Sequence, residues 1–340
     1  MNNYIIRINN ELKKYKYYLN NKEIVDKKTL DKIYKIYIPP AYQDVKIYLN
    51  SKVLATGIDS VGRKQYIYSE NSKKYREFKK YCQLVKLSNN IQKLKKKINN
   101  DLIEKDFTKN KLIALILKIM ELCNFRGGNK IYEKKYGSYG LTTLHKKHIK
   151  IQKDSIKINF IGKKGVNNSC IIMNKNIQKI IKTVYKISSK NNPYIFSIYY
   201  KNDYINITIN DLNKYLEEFN ITTKDLRTWN ANIIFLKNLK KEIENLDDKW
   251  KDEENILKKN KLKKEFIRDA IKLTSISLHH TPAICKSSYI YKDILNKIED
   301  NDILINKLVN DNIKVEKLLF ELLQDKRLNK CVNVKKNLNK

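Results

Sequence analysis

The chain has 340 residues, 41% of them apolar, and its 71 lysines and arginines outweigh 36 acids to leave a net charge of +35. That apolar share supplies an ordinary core and excludes wholesale disorder, the length suits two domains, and no run of about 18 apolar residues offers a membrane span. The surplus charge predicts an attractive field for a polyanion, most simply a nucleic-acid backbone, with an anionic membrane surface as the weaker option.

The opening stretch MNNYIIRINNELKK has neither the apolar run nor the small-residue cleavage site of a secretory signal. Residues 44–69 alternate and punctuate like strands, with VKIYL, KVLATGI, a turn at Asp59-Ser60 and KQYIYS. They predict a small β-rich N-terminal domain over residues 1–75. From about Lys73 the character changes to long Lys-rich helical stretches, so a mainly helical domain is expected over 76–328. Leu112–Cys123 carries a continuous apolar stripe and predicts a buried helix. LTTL (141–144), HIKI (148–151), IKINFI (156–161) and SCIIM (169–173) are separated by short polar stretches. They predict an antiparallel meander of three or four strands, whose tightest loop carries Gly162-Lys163-Lys164-Gly165. Helices then dominate at 174–188, 209–219, 224–245, 252–277 and 303–325, and Pro282 suits the first turn of a short one. The Asn/Lys-rich stretch 329–340 reads as a frayed tail. The fold class is therefore α+β.

Ile, Lys, Asn and Tyr dominate the chain, all encoded by A/T-rich codons, which inflates lysine. Against that background seven arginines survive: Arg7, Arg63, Arg76, Arg126, Arg227, Arg268 and Arg327. A retained arginine points to a need for the planar five-donor fork that lysine cannot imitate, although some of these are incidental surface residues. The cysteines Cys82, Cys123, Cys170, Cys285 and Cys331 are odd in number, far apart and without a CxxC pair. They read as reduced thiols in an intracellular protein. Despite Gly162-Lys163, GxxxxGK[ST] is absent, so nucleotide hydrolysis has no support. No HExxH, EF-hand loop or spaced carboxylate cluster occurs either, and neither a metal nor a cofactor is expected. His145 and His148, three apart beside a strand, are expected to face solvent.

Three segments remain. Arg126 lies in CNFRGGNKIY, past the buried helix, at a Gly-Gly break that permits close backbone approach. Arg227 lies in TTKDLRTWN, at a helix start with Thr222 or Thr223 as cap. HHTPAICKSSY places His280 nine residues before Tyr289. Singly, each has an ordinary explanation: a helix cap, a surface ion pair, one of 23 tyrosines. Taken in order, Arg, a hairpin Lys, Lys-x-x-Arg, His-Thr-Pro and Tyr resemble the catalytic set of the type IB DNA topoisomerases, above all the compact poxvirus-type enzymes. The resemblance includes GIDSVGRKQYIYS (57–69), GLTTLHKKHIKI…FIGKKG (140–165), KDLRT (224–228) and HTPAICKSSY (280–289), and covers residues 35–325.

The resemblance implies the catalytic fold common to tyrosine recombinases and type IB topoisomerases, a mainly helical domain with a three-stranded antiparallel sheet. It implies Tyr289 as nucleophile, assisted by Arg126, Lys163, Arg227 and His280. Lys224 matches the lysine of the KxxR segment and Asn232 a phosphate-contacting asparagine, while Gln65, Tyr66, Tyr68 and Tyr132 match DNA-contacting positions. Alternation puts Tyr66 and Tyr68 on one side of their strand. The implied activity is relaxation of supercoiled double-stranded DNA through a 3′-phosphotyrosyl intermediate and religation, without ATP, metal or small-molecule cofactor. The implied actor is a monomer that clamps the duplex, with no membrane partner, in the cytoplasm of an infected cell and in the virion.

Some features depart from the family pattern. Asn129 and Ile131 stand where the best-known members place lysines, so target preference is not carried over. The 53-residue interval from Arg227 to His280 is long, with the excess in Leu246–Lys264, expected as a surface extension of two helices. Tyr291 and His279 are substitutes for Tyr289 and His280, disfavoured by the nine-residue offset and by the Thr-Pro that directly follows His280. Two rival readings remain. A tyrosine recombinase would usually carry HxxR where this chain has KDLR. A non-enzymatic DNA-packaging protein would not need all five catalytic positions intact.

Overall fold

Alternating side chains on the N-terminal strands bury Ile5 and Arg7 in one, Val45 and Ile47 in another, and leave their neighbours facing outward. A computed structural model describes residues 4–9, 15–188, 192–200, 202–245, 255–300, 302–310, 314–324 and 331. By internal contacts the chain divides into two units, Met1–Lys80 and Tyr81–Lys340.

In the first unit, strands β1 (Ile5–Asn9), β2 (Tyr15–Leu19) and β3 (Lys22–Glu23) precede helix α1 (Lys27–Tyr34) and strands β4 (Gln43–Ile47), β5 (Val53–Ile58) and β6 (Lys64–Tyr68). All six strands form one antiparallel sheet in the order β3-β2-β1-β4-β5-β6. Ile5, Tyr17, Val45, Ile47 and Ala55 pack with Ile33 of α1 into its core. Burial of each large apolar side chain contributes about 1.5–3 kcal/mol. Asp26 caps α1 by accepting from the backbone N–H of Lys28 and Thr29. Only β4–β6 were expected; β1–β3 and α1 mix tyrosines, lysines and asparagines among single isoleucines and give no clean period. Arg7 uses its fork structurally, donating to the carbonyls of Ile38, Pro39 and Tyr42 and so holding the loop after α1.

Helix α2 (Glu70–Ile103) contains the division between the units at Lys80/Tyr81. After it come α3 (Lys109–Cys123), α4 (Lys130–Tyr136), strands β7 (Ile149–Ile151), β8 (Ile156–Ile161) and β9 (Asn167–Ile172), α5 (Lys175–Ile187), and the hairpin β10 (Ser197–Tyr200) and β11 (Asp203–Asn206). Helices α6 (Ile209–Glu217), α7 (Thr223–Glu244), α8 (Ile256–Ser277), α9 (Pro282–Ser288), α10 (Lys292–Glu299), α11 (Asp302–Asn310) and α12 (Val315–Leu323) complete the described chain. The architecture is α+β, as expected: a β-rich first unit, then a mainly helical one with the three-stranded antiparallel sheet β7-β8-β9. The apolar stripe of α3 is buried as expected, from Leu112 through Leu117 and again at Ile119 and Met120. No helix among the described residues is long and apolar enough to cross a membrane.

Several expectations need correction. LTTL is not a strand: Leu141–Thr143 form a 3₁₀ turn, closed where the Thr143 hydroxyl takes the Gly140 N–H at 3.0 Å. The single helix over 303–325 is two, α11 and α12. The hairpin β10–β11 and helix α10 were not anticipated. Of the charged extension, 246–254 lies outside the described residues and 256–264 opens α8, capped by Asn255. The tail 329–340 lies outside them too, save Cys331, and so does Arg327. The cysteines are not all reduced thiols: Cys82 bonds to Cys331 and Cys123 to Cys170, leaving Cys285 free and buried. Partners 249 and 47 residues apart are brought together by tertiary packing, which no spacing rule reveals. His145 and His148 are half-buried among Tyr139, Tyr194 and Phe160 rather than solvent-facing.

Candidate active site

Arg126 is delivered by the end of α3. Asn124 turns out of the helix in the left-handed region (φ 54°) and its N–H returns to the Met120 carbonyl. The Arg126 carbonyl then accepts from Leu141 N–H at 2.9 Å and that of Gly127 from Thr142 at 2.6 Å, pinning this strand-like stretch to the 3₁₀ turn. Two glycines make this approach possible. Gly128 has φ +96°, and a Cβ on Gly140 would stand 2.5 Å from the Gly128 Cα and 2.8 Å from the Arg126 carbonyl oxygen.

Arg227 comes from the first turns of α7, whose N-cap Thr222 is tied by its N–H and hydroxyl to the Asp225 carboxylate, each at 2.8 Å. Arg227 is 4% exposed, and its guanidinium donates from Nη2 to the Leu278 carbonyl at 2.5 Å. Leu278 ends α8, and the chain leaves that helix through His279 at φ 53°, with His279 N–H on Ile276 O and His280 N–H on Ser275 O. This is a Schellman cap with histidine where glycine is usual. Thr281 then caps α9, with Pro282 at its first position, and Tyr289 ends it with N–H on the Cys285 carbonyl. The nine-residue offset from His280 to Tyr289 is thus spanned by one short, capped helix.

Four of the five expected catalytic side chains meet. The Tyr289 phenol oxygen accepts from Arg126 Nη2 at 3.3 Å and from Arg227 Nε at 3.3 Å. The His280 ring lies nearly parallel to the Tyr289 ring, 4.8 Å between centroids. Two buried donor or acceptor atoms in this cluster have no partner among the described residues, Arg227 Nη1 and His280 Nε2. Burial lowers the Arg227 pKa, and no carboxylate pairs with either guanidinium among the described residues. A buried cation without an anionic partner is costly; one phosphate oxygen would satisfy both the charge and the free N–H. Burial pushes the Tyr289 phenol up, but the charges and hydrogen bonds of Arg227 and Arg126 prevail and its net shift is downward. Burial, then Arg227, pulls the His280 imidazole down to about 4.

Lys163 is exposed at the tip joining β8 to β9, where Lys164 and Gly165 both take positive φ, and among the described residues no hydrogen bond or ion pair joins its side chain to this cluster. Tyr291 is no rival to Tyr289: it is 6% exposed, stacks on Tyr81 at 5.5 Å and donates to Asp293. His279 is occupied as well, with Nε2 at 3.2 Å from the Cys123 carbonyl and its ring against Phe125.

A family model described as "Eukaryotic DNA topoisomerase I, catalytic core" matches residues 69–317, and one described as "Bacterial DNA topoisomerase IB, N-terminal domain" matches residues 14–59. The chain belongs to the type IB DNA topoisomerases. It is 34% identical to the DNA topoisomerase 1B of Acanthamoeba polyphaga mimivirus over 87% of this chain and 88% of that protein. It is also 27% identical to the DNA topoisomerase 1B of Vaccinia virus, covering 79% of this chain and 82% of the relative. Identity to the DNA topoisomerase 1 of Rabbit fibroma virus is 27% over 80% and 82%. Among the three readings open from sequence, the family match selects the type I DNA topoisomerase over a recombinase or a packaging protein.

The remaining expected contacts of this enzyme are scattered. In the first unit, the Gln65 amide donates to Asp59 Oδ2, and Asp59 also takes the N–H of Val61 and Arg63 to shape the β5–β6 turn. Tyr66 is 49% exposed and shares a strand face with Tyr68, their rings 6.3 Å apart; Arg76 covers the Tyr68 ring at 3.3 Å. In the second unit, Tyr132 is exposed on α4, stacked on Tyr136, and Lys224 is exposed on the first turn of α7. Asn232 lies on the inner face of α7. It is fully buried, its amide donating to Thr228 O and to the Tyr289 carbonyl at 3.0 Å while its oxygen takes the Tyr291 N–H. The signal for this was its place on the buried stripe of α7, four residues after Thr228 and three before Phe235. The left-handed cap at His279 left no sequence signal.

Proposed function

We propose that the Arg126–Arg227–His280–Tyr289 cluster carries out reversible transesterification of one DNA strand. Tyr289 Oη gives up its proton to solvent and attacks a backbone phosphorus, a tyrosyl O–P bond forms, the bond to the 5′ oxygen breaks, and the departing oxygen takes a proton. A 3′-phosphotyrosyl link and a free 5′-hydroxyl result, strand rotation relaxes supercoils, and attack by the 5′-hydroxyl reverses the step. The phosphodiester energy stays in the covalent link, so the scheme needs no ATP. The two guanidinium forks supply the positive charge for the non-bridging oxygens of the transition state, the work a metal does in other phosphoryl-transfer sites. His280 adds a contact to the same oxygens. Lys163, exposed at the β8–β9 tip, protonates the leaving 5′ oxygen.

The single observation that carries this reading is the phenol oxygen held 3.3 Å from two arginines that have no carboxylate partner among the described residues. Gln65, Tyr66, Tyr68, Tyr132 and Lys224 are proposed to contact the duplex, with a monomer applying both units to the same DNA. Asn232 is proposed to hold the backbone of the nucleophile. The division into an N-terminal DNA-clamp domain at 1–75, a catalytic domain at 76–328 and a tail at 329–340 belongs to the same proposal. Named relatives from viruses support action in the cytoplasm of an infected cell, with packaging into the virion as a further step.

The test is a denaturing-gel assay for a protein–DNA adduct on labelled duplex in EDTA without ATP. Wild-type chain forms the adduct and turns supercoiled plasmid into a topoisomer ladder; Tyr289→Phe does neither while still binding DNA. An adduct that persists in Tyr289→Phe overturns the assignment.

A further inference from the structure

Glu133 is the one acid of α4, and it is turned inward. Ile131, Tyr132, Lys134, Lys135 and Tyr136 are all exposed, so the outward face of this helix is cationic and aromatic. That is the chemistry of a surface that meets phosphates and bases. The helix begins four residues after Arg126, so whatever α4 touches lies close along the duplex to the phosphate held there.

A helix of seven residues has too few internal hydrogen bonds to hold itself in place. Asn129 and Gly137 cap its ends but leave its rotation about its own axis open. Glu133 settles that rotation. Its Oε1 lies 2.8 Å from His145 Nε2, and its Oε2 accepts the Tyr194 hydroxyl at 2.9 Å. The two side chains of the first pair are 19% and 11% exposed, so solvent competes little for them. Lys130, one turn earlier, places its ammonium 4.5 Å over the ring of the same Tyr194. One tyrosine is thus gripped by its face and its hydroxyl from two positions on one helix.

The receiving wall is itself braced. Ile195 N–H bonds to the Leu144 carbonyl, and His145 N–H donates to His148 Nδ1 at 3.0 Å. Tyr139 packs edge-on against both imidazoles. Burial, then the neighbouring His145 and Lys147, holds His148 down to about 4, so its ring stays neutral and Nδ1 remains an acceptor.

We propose that Glu133, through His145 and Tyr194, is a positioning residue that sets the rotation of α4, and thereby which base pairs beside the scissile phosphate Tyr132, Lys134, Lys135 and Tyr136 contact. The inference rests on the reading of Arg126 as a phosphate ligand.

The test uses the full chain and two variants. Glu133→Gln keeps an acceptor for Tyr194 but removes the charge facing His145; Tyr194→Phe removes the hydroxyl alone. Each should raise the half-saturating concentration of a duplex oligonucleotide about tenfold, the loss of a charge-assisted hydrogen bond. Each should redistribute cleavage positions along a long duplex, while single-turnover cleavage at saturating enzyme stays within about threefold of wild type. Unchanged affinity and an unchanged cleavage map in folded variants overturn the proposal, as does a loss confined to the cleavage rate at saturation. If Glu133→Gln does not fold, Tyr194→Phe decides. Affinity is read without cleavage, so a wild-type chain that binds yet forms no adduct overturns the catalytic reading, and the binding comparison still decides this one.

Discussion

The imidazole of His280 lies against the phenol of Tyr289, 4.8 Å between ring centroids and 12° from parallel, and its Nε2 is buried without a partner. Its Nδ1 is 3.3 Å from the Thr281 carbonyl, an acceptor, so Nδ1 carries the ring's proton. With its pKa near 4 the ring is neutral at neutral pH and Nε2 presents a lone pair. To donate to a phosphate oxygen while Nδ1 keeps its bond to Thr281, Nε2 must gain a proton, and a bound phosphate anion favours that by offsetting the field of Arg227 and Arg126.

DNA binding should therefore take up a proton. The pKa is depressed in the free protein and rises in the complex, so affinity should strengthen as pH falls from about 7 towards 5. Calorimetric titration in buffers of differing ionisation enthalpy measures the uptake in wild type and its loss in His280→Ala. Equal proton counts for the two would remove His280 from the phosphate.

In the proposed scheme Arg227 acts on Tyr289 as well as on the phosphate. Because Arg227 and Arg126 hold the Tyr289 phenol below its ordinary value of 10, cleavage should rise with pH and level off before that value. In Arg227→Ala the levelling should move upward, since removing a nearby cation destabilises phenolate. Arg227→Lys should still cleave about 10²–10³-fold more slowly, because the fork is lost. Single-turnover rates across pH check both expectations.

On the proposed reading, Asn232 organises the backbone at Tyr289 and Tyr291. Asn232→Ala strands the Tyr289 carbonyl and the Tyr291 N–H in a buried place, at a cost to stability of about 1–3 kcal/mol for each. Cleavage should slow while duplex affinity stays near wild type, read by denaturant melts, single-turnover cleavage and binding. A loss of affinity equal to the loss of rate would restore Asn232 as a DNA contact.

The bridge Cys123–Cys170 closes a 47-residue separation between the end of α3 and β9. In the chain-entropy account such a loop contributes roughly 4 kcal/mol. Dithiothreitol should lower the melting temperature, as should Cys123→Ala with Cys170→Ala. Alkylation of denatured, unreduced protein should modify one thiol, Cys285, whose pKa burial pushes up to about 12 in the native state. Mass spectrometry showing five modified cysteines would remove both bridges.

Much of this was legible before any coordinates, and for identifiable reasons. The apolar stripe of α3 and the alternation of β4–β6 are local periodicities. The order of Arg126, Arg227, His280 and Tyr289 survived as flanking words. Local pattern failed at β1–β3, whose Lys- and Tyr-rich strands gain their meaning from pairing with β4, and at LTTL, where a threonine hydroxyl closes a turn instead of a ladder. It also misjudged His145 and His148, because burial by Tyr139 and Tyr194 is a property of the assembled unit.

The amino-acid order alone determined which residue types this chain commits to its chemistry: an aromatic nucleophile, forked cations retained against a lysine background, and a histidine at a fixed offset on one short helix. Only the tertiary structure decided that the two arginines, 101 residues apart, converge on one phenol, and that Asn232 holds the Tyr289 backbone. Periodicity and capping act within a few turns of chain. Convergence of distant groups depends on how helices α3, α7 and α8 pack, and that is settled by the whole core at once.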